Sequence, residues 1–308
     1  MKPDLSVRLA DFVLKNPVMN CAGTMEPNEA CIDLIKPQEL GANVTKSLSL
    51  RAKEGNPQPR ILEVPAGGLI NRIGLQNLGV MNFVQEKIFQ YVEFGAAALI
   101  VNIVGESIRK FCQVAGVLEK KAKDYIIALE ANVSCPNVSN GLVFGSNAKL
   151  LFKLVKAVKS EVSLPLIIKL TPNVIDIGLI ARAVEDGGAD ALSLINTVKS
   201  RAYIHSGPDV GQWIEGGLSG PVIKPIALQK VWEVSQAVNL PLIGMGGISN
   251  TQDALDFLRI EKVKAIAVGT ATFRDPSTME KIIAGLGKYL EEKGYKNIEE
   301  FKKKEVRK

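Results

Sequence analysis

The sequence predicts an α/β chain folded as one (β/α)8 TIM barrel, on three observations. Eight short apolar runs recur along the chain, helix-period segments lie between them, and no linker, low-complexity stretch or charge block divides residues 1–308. Continuous apolar runs suit parallel strands covered on both faces, whereas half-exposed strands alternate. Eight strand–helix units are the count of a closed barrel. An open doubly wound sheet is the structural rival, but eight units exceed its usual number and the first strand–helix turn lacks G-x-G-x-x-G.

In chain order the strands are expected at Pro17–Ala22, Ala42–Lys46, Ala96–Asn102, Ile126–Val133, Leu164–Leu170, Ala189–Asn196, Leu240–Met245 and Val263–Val268. Among the helices, Lys149–Val162 repeats apolar residues at Leu150, Leu151, Leu154, Val155 and Val158, one helical face. Ile175–Asp186 follows Pro172-Asn173. Pro225–Val238 carries Ile226, Leu228, Val231, Trp232 and Val234, which reads Trp232 as helix core. Asn250-Thr251-Gln252-Asp253 has the chemistry of an N-terminal cap before Ala254–Leu258. Two connections are long, Ser47–Leu78 and Thr197–Lys224. Loops of that length are often binding loops or lids, and in a barrel both rise over the C-terminal face. His205 and Trp213 fall in the second of them, as a surface or lid residue and a loop-packing residue.

A chain of 308 residues with 46% hydrophobic content can bury one large core. No apolar run reaches the roughly 18 residues of a membrane span, and Met1-Lys2-Pro3-Asp4 begins no signal-peptide core, so a soluble, cytoplasmic protein is expected. The four cysteines, Cys21, Cys31, Cys112 and Cys135, show no paired-ligand spacing, and His205 is the single histidine. That excludes a zinc centre, a dense disulfide framework and an iron–sulfur cluster held by this chain, and no metal site is expected. The net charge is +6, of which the segment from Lys293 onward supplies +4, with seven Lys/Arg against three Asp/Glu. Without interleaved aromatics, the tail reads as a solvated terminal helix rather than a nucleic-acid contact.

Asn132-Val133-Ser134-Cys135-Pro136-Asn137 sets a thiol between two carboxamides where a strand ends. Pro136 restricts Cys135 to extended conformations, so the thiol is held. Either it is a proton-transfer group above a flat polar ligand or it is a buried strand-end cysteine. Six of the eight strand ends carry Asn or Lys: Asn20, Lys46, Asn102, Asn132, Lys169 and Asn196. Such a ring suits a planar, electron-rich ligand and does not suit a metal. Lys169, inside Leu166-Ile167-Ile168-Lys169-Leu170, is costly to bury without a partner. It either snorkels out at the mouth or faces a group that becomes anionic. Gly244-Met245-Gly246-Gly247-Ile248 and Val268-Gly269-Thr270-Ala271 end the last two strands, where barrels often bind phosphate on backbone N–H groups.

These motifs, with Thr45-Lys46-Ser47, Asn71-Arg72-Ile73-Gly74-Leu75-Gln76-Asn77, Ile195-Asn196-Thr197 and Gly217-Leu218-Ser219-Gly220-Pro221, resemble the class 1 dihydroorotate dehydrogenases over nearly the whole chain. The resemblance implies an FMN-containing barrel that oxidises dihydroorotate to orotate in pyrimidine synthesis. It places Thr45, Lys46, Asn102, Asn132, Lys169, Ile195, Gly220, Gly246, Gly247, Gly269 and Thr270 around FMN. Lys46, Asn71, Arg72, Ile73, Gly74, Leu75, Asn132, Asn137, Asn196 and Thr197 would hold the pyrimidine and its carboxylate. Cys135 would be the base that takes the C5 proton while hydride passes from C6 to the flavin.

The run from Gly217 to Pro225 looks like the 1B type, in which a homodimeric core pairs with a second subunit carrying FAD and a [2Fe–2S] cluster and passes electrons to NAD+. The fumarate-linked 1A homodimer is the nearer rival, and a barrel similar to the pyrimidine-reducing domain of dihydropyrimidine dehydrogenase is another. A non-catalytic phosphate-ligand or RNA-binding barrel is the remote one. Two positions depart from the family pattern: Ala22 stands where relatives often have serine, and Arg72 replaces a small residue.

Overall fold

A computed structural model describes residues 2–26, 36–96, 98–134, 144–205 and 211–306. Eight parallel strands form one sheet: β1 (Val18–Asn20), β2 (Asn43–Val44), β3 (Leu99–Ile103), β4 (Ala128–Asn132), β5 (Leu166–Lys169), β6 (Ala191–Leu194), β7 (Leu242–Met245) and β8 (Val263–Val268). Their spatial order is β1-β8-β7-β6-β5-β4-β3-β2, so chain order runs once around a barrel. Each lies within or one residue beyond its expected run. The pairing is shorter because the flanking residues turn out of the ladder.

Closure falls between β1 and β2. Met19 and Ala42 form one isolated parallel bridge, and Gly41 N–H donates to Val18 C=O at 2.8 Å. The buried Asn20 completes the seam: its Oδ1 accepts from Val44 N–H at 2.8 Å and its Nδ2 donates to Val44 C=O at 2.7 Å. A side chain thus serves both backbone groups of Val44 where β1 is too short to pair.

The outer helices are α1 (Ile108–Lys121), α2 (Ala148–Glu161), α3 (Ile177–Asp186), α4 (Lys224–Ala237), α5 (Thr251–Leu258), α6 (Thr278–Glu292) and α7 (Ile298–Glu305), with a further helical stretch over 80–93. Side-chain caps start five of them: Ser107, Asn147, Asp176, Asn250 and Asn297 each accept from the N–H three residues on. Asp176 in that role explains why α3 begins at Ile177 and leaves Ile175 fully exposed. Leu151, Leu154, Val155 and Val158 of α2 face the core as their spacing predicts.

Three expectations are corrected. The long connections after β2 and β6 are not merely loops. They hold Ile61–Val64 with Gly68–Asn71 and Val198–His205 with Gly211–Ser219, which join as one four-stranded antiparallel sheet through pairs such as Gly217 with Asn71. Trp232 is 52% exposed rather than core, because it lies on the outer face of α4, while Ala227, Val231 and Val234 face inward. The basic terminal helix is docked, not wholly solvated. Ile298 and Phe301 are buried, and Lys302 Nζ donates to the carbonyls of Leu258, Ile260 and Val263 at 2.7, 3.0 and 2.8 Å. Burial lowers that ammonium to about 7, and the three carbonyls lie between the last residue of α5 and the first of β8.

The seam gives a direct test. Asn20→Ala leaves the N–H and C=O of buried Val44 without partners, and each such loss costs about 1–3 kcal/mol. Denaturant unfolding is expected to show a loss of about 2–6 kcal/mol; a change near zero contradicts the role given to Asn20.

Candidate active site

Four neighbouring strands send polar side chains to one level of the barrel interior. Asn102 (β3), Glu130 (β4), Lys169 (β5) and Ser193 (β6) are all buried. Asn102 lies beside Glu130, and Ser193 beside Lys169, in the ladder register. Glu130 joins them. Its Oε1 accepts from Asn102 Nδ2 at 2.5 Å, its Oε2 accepts from Ser193 Oγ at 2.7 Å, and Lys169 Nζ lies 3.8 Å from Oε1. Lys169 therefore does not simply snorkel out; it is 5% exposed beside a carboxylate. Thr45 Oγ1 accepts from Asn102 N–H at 3.1 Å, which ties the end of β2 to the same layer.

One atom of this layer is unsatisfied. Asn102 gives its Nδ2 to Glu130, while its buried Oδ1 has no hydrogen-bond partner. Buried acceptors in native proteins almost always have one, so this oxygen points to a donor supplied by a ligand. An N–H of a planar heterocycle would suit it, and Lys169 adds a cation for an electron-rich edge.

The ends of the last three strands are built close together. Gly246 and Gly247 have φ of +123° and +78°. A Cβ on Gly246 would meet Ala227 Cβ at 2.7 Å and Ile195 Cγ1 at 3.2 Å. One on Gly247 would lie 2.8 Å from Lys224 N and 3.0 Å from Gly220 C=O, so backbone alone fits there. Thr270 Oγ1 donates to Ser219 Oγ at 2.7 Å, and Gly269 abuts Cys21. Gly246 thus packs on Ile195 and Gly247 on Gly220, and Ser219, at the end of the added sheet, reaches Thr270.

A second amide group lies beside this one. Asn132 Oδ1 accepts from Ser134 N–H and from Asn196 Nδ2, both at 3.2 Å. Asn196 Oδ1 accepts from Thr197 N–H at 2.8 Å. With both acceptors occupied, Asn132 and Asn196 have N–H groups left to offer, a match for carbonyl or carboxylate oxygen. Asn71 Nδ2 donates to Gly217 C=O at 3.2 Å, and Gly217 abuts Thr197, which brings the added sheet to the same side. Asn173, which the sequence reading passed over, supports Thr197: its Nδ2 donates to Thr197 C=O at 3.1 Å and its Oδ1 accepts from Lys199 N–H at 2.8 Å.

Other expected residues are less closely tied. Lys46 lies beside Gly23 at the ends of β1 and β2. Arg72, Ile73, Gly74 and Leu75 follow the added hairpin and are held through backbone by Asn56, whose Nδ2 donates to Arg72 C=O at 2.8 Å and whose N–H donates to Ile73 C=O at 3.0 Å. Among the described residues no hydrogen bond or ion pair joins their side chains to the interior layer. Cys135 and Asn137 lie outside the described residues. Glu130 and Ser193 were missed, although Glu130 stands two residues before Asn132 and so shares its face of β4. Among the described residues no His/Cys/Asp/Glu group could hold a metal ion, and no helix is long and apolar enough to cross a membrane.

The family model described as dihydroorotate dehydrogenase matches residues 4–290. The dihydroorotate dehydrogenase B (NAD(+)) catalytic subunit of Geotalea uraniireducens (strain Rf4) is 44% identical over 302 residues, which are 97% of each chain. The protein so named from Thermoanaerobacter sp. (strain X514) is 44% identical over 300 residues, again 97% of each. That of Geobacter sulfurreducens is 42% identical over 302 residues.

Cys21 adjoins the polar layer but is no candidate base. Burial pushes its thiol up to about 11, with Lys169 pulling it down and Glu130 pushing it further up. A raised value leaves little thiolate at neutral pH. Alkylation of the native protein at about pH 8 (below the thiol's raised value) is expected to spare Cys21 and to modify it only after unfolding; mass spectrometry showing rapid native labelling at Cys21 contradicts this.

Proposed function

This chain belongs to the dihydroorotate dehydrogenase family, and we propose that it oxidises dihydroorotate to orotate in pyrimidine biosynthesis, with FMN as its resident cofactor and NAD+ as the final acceptor. The observation that carries the proposal is the buried layer of Thr45, Asn102 and Lys169 beside the amides Asn132 and Asn196. It occurs in a chain that resembles NAD(+)-linked catalytic subunits over nearly its full length.

When bound, FMN supplies a two-electron acceptor for the hydride leaving C6 of the substrate. The chain's own residues bind and orient. Asn102 Oδ1 accepts from a ring N–H, and Lys169 stabilises negative charge at the polar ring edge. Thr45, Lys46, Asn132 and Ile195 complete the ring's surroundings, while Gly220, Gly246, Gly247, Gly269 and Thr270 serve the phosphate end through backbone and hydroxyl groups. Lys46, Asn71, Arg72, Ile73, Gly74, Leu75, Asn132, Asn137, Asn196 and Thr197 hold the pyrimidine and its carboxylate. Cys135 removes the C5 proton as thiolate.

The electrons leave through a partner subunit that carries FAD and a [2Fe–2S] cluster, on a homodimeric core of this chain. The relatives' designation as catalytic subunits supports such a partner. The four cysteines of this chain, without cluster spacing, support the assignment of the iron–sulfur group to that partner.

Cys135→Ala is expected to lower kcat at least a hundredfold, the usual scale of a lost general base, while orotate binding changes little. The wild-type rate rises with pH until the thiol ionises, near 8.5 for an unperturbed cysteine. Wild-type flavin reduction in that variant removes Cys135 from its role. Steady-state assays with NAD+, fumarate and quinone, with and without a co-purified FAD subunit, test the acceptor. NAD+ reduction only with the partner is the expected result; fumarate turnover by the chain alone contradicts the NAD-linked assignment.

A further inference from the structure

We propose that Glu130 is a positioning residue: it fixes which atom of Asn102 faces the flavin and offsets the charge of Lys169. The inference rests on the FMN reading above and deepens it. Glu130 is 2% exposed on the interior face of β4, and a carboxylate there costs several kcal/mol unless its oxygens are satisfied. Both are. Asn102 Nδ2 donates to one at 2.5 Å and Ser193 Oγ to the other at 2.7 Å.

The first consequence concerns orientation. A carboxamide has one donor end and one acceptor end, and isolated it presents either. A carboxylate accepts only, so Glu130 claims the NH2 of Asn102 and turns Oδ1, the unsatisfied buried atom, the other way. The second concerns charge. Lys169 Nζ lies 3.8 Å from Glu130 Oε1, beyond hydrogen-bond length, so the ammonium keeps donors for a ligand while its charge is partly offset. Glu130 touches neither substrate nor cofactor in this account and acts through these two side chains.

Glu130→Gln separates charge from packing. The amide oxygen can still accept from Asn102 and its NH2 can face Ser193, but the negative charge is lost. Lys169 is then uncompensated and favours the more electron-rich, reduced flavin. The midpoint potential of protein-bound FMN, measured anaerobically against a reference dye, is expected to rise by about 30 mV or more, a tenfold shift in a two-electron equilibrium. Glu130→Asp keeps the charge and withdraws it by one methylene, so its potential is expected between wild type and Glu130→Gln. Lys169→Met shifts the potential in the opposite direction.

FMN titration of the apoprotein supplies a readout independent of turnover: Glu130→Gln weakens FMN binding at least fivefold, because a glutamine can present either end to Asn102 and permits its orientation without enforcing it. Should Glu130→Gln fail to fold, the potential of Glu130→Asp carries the test. Folded variants with wild-type potential and FMN affinity overturn the role of Glu130 alone. Wild-type protein that binds no FMN overturns this inference and the proposed function together.

Discussion

The short seam between β1 and β2 is what turns eight strands into a ring, and there Asn20 does with a side chain what a longer strand would do with backbone. Gly41 and the Met19–Ala42 bridge add the only backbone pairing at that join among the described residues. Were the sheet open, its strand ends would fan apart, and Lys46 could not share a mouth with Asn102 and Lys169. The convergence of the strand-end groups depends on this closure. Asn20 is therefore structural at a position where its residue type and its place at a strand end resemble those of the ligand-facing amides.

Inside the ring, the barrel holds a carboxylate, an ammonium, a carboxamide and a hydroxyl at one level, with apolar strands around them. Removing charges from water is expensive, and the interactions among the four offset that cost incompletely, because Asn102 Oδ1 remains open. A layer built only for stability would close on itself. This one leaves an acceptor and a cation available on the side of the strand ends, which is what a planar, electron-accepting ring would engage. Burial keeps Cys21 a thiol against the pull of Lys169, and so distinguishes it from the thiol assigned to proton transfer.

Much of this was legible in the sequence. The strands were readable because strands covered on both faces are continuously apolar, and their polar termini marked the site. Lys169 was conspicuous as a charge inside such a run. Glu130 obeys the same logic, but its signal is masked by the denser polar run Asn132–Asn137 two residues on. The sheet made by Gly68–Asn71 and Gly211–Ser219 was hidden because its glycine-rich segments carry weak strand signals and its two hairpins meet across 146 positions, as Asn71 does with Gly217. Trp232 was misread because helix periodicity fixes spacing but not which side of α4 meets the barrel. Lys302 looked solvated because a basic run gives no hint that three carbonyls wait beneath one of its members.

The most direct measurement is anaerobic mixing of the purified, FMN-loaded chain with dihydroorotate, following the visible flavin absorbance and orotate formation together. The expected result is loss of the oxidised flavin spectrum with one orotate formed per flavin, and no bleaching by dihydrouracil. Flavin that stays oxidised with dihydroorotate, or is reduced by dihydrouracil instead, contradicts it.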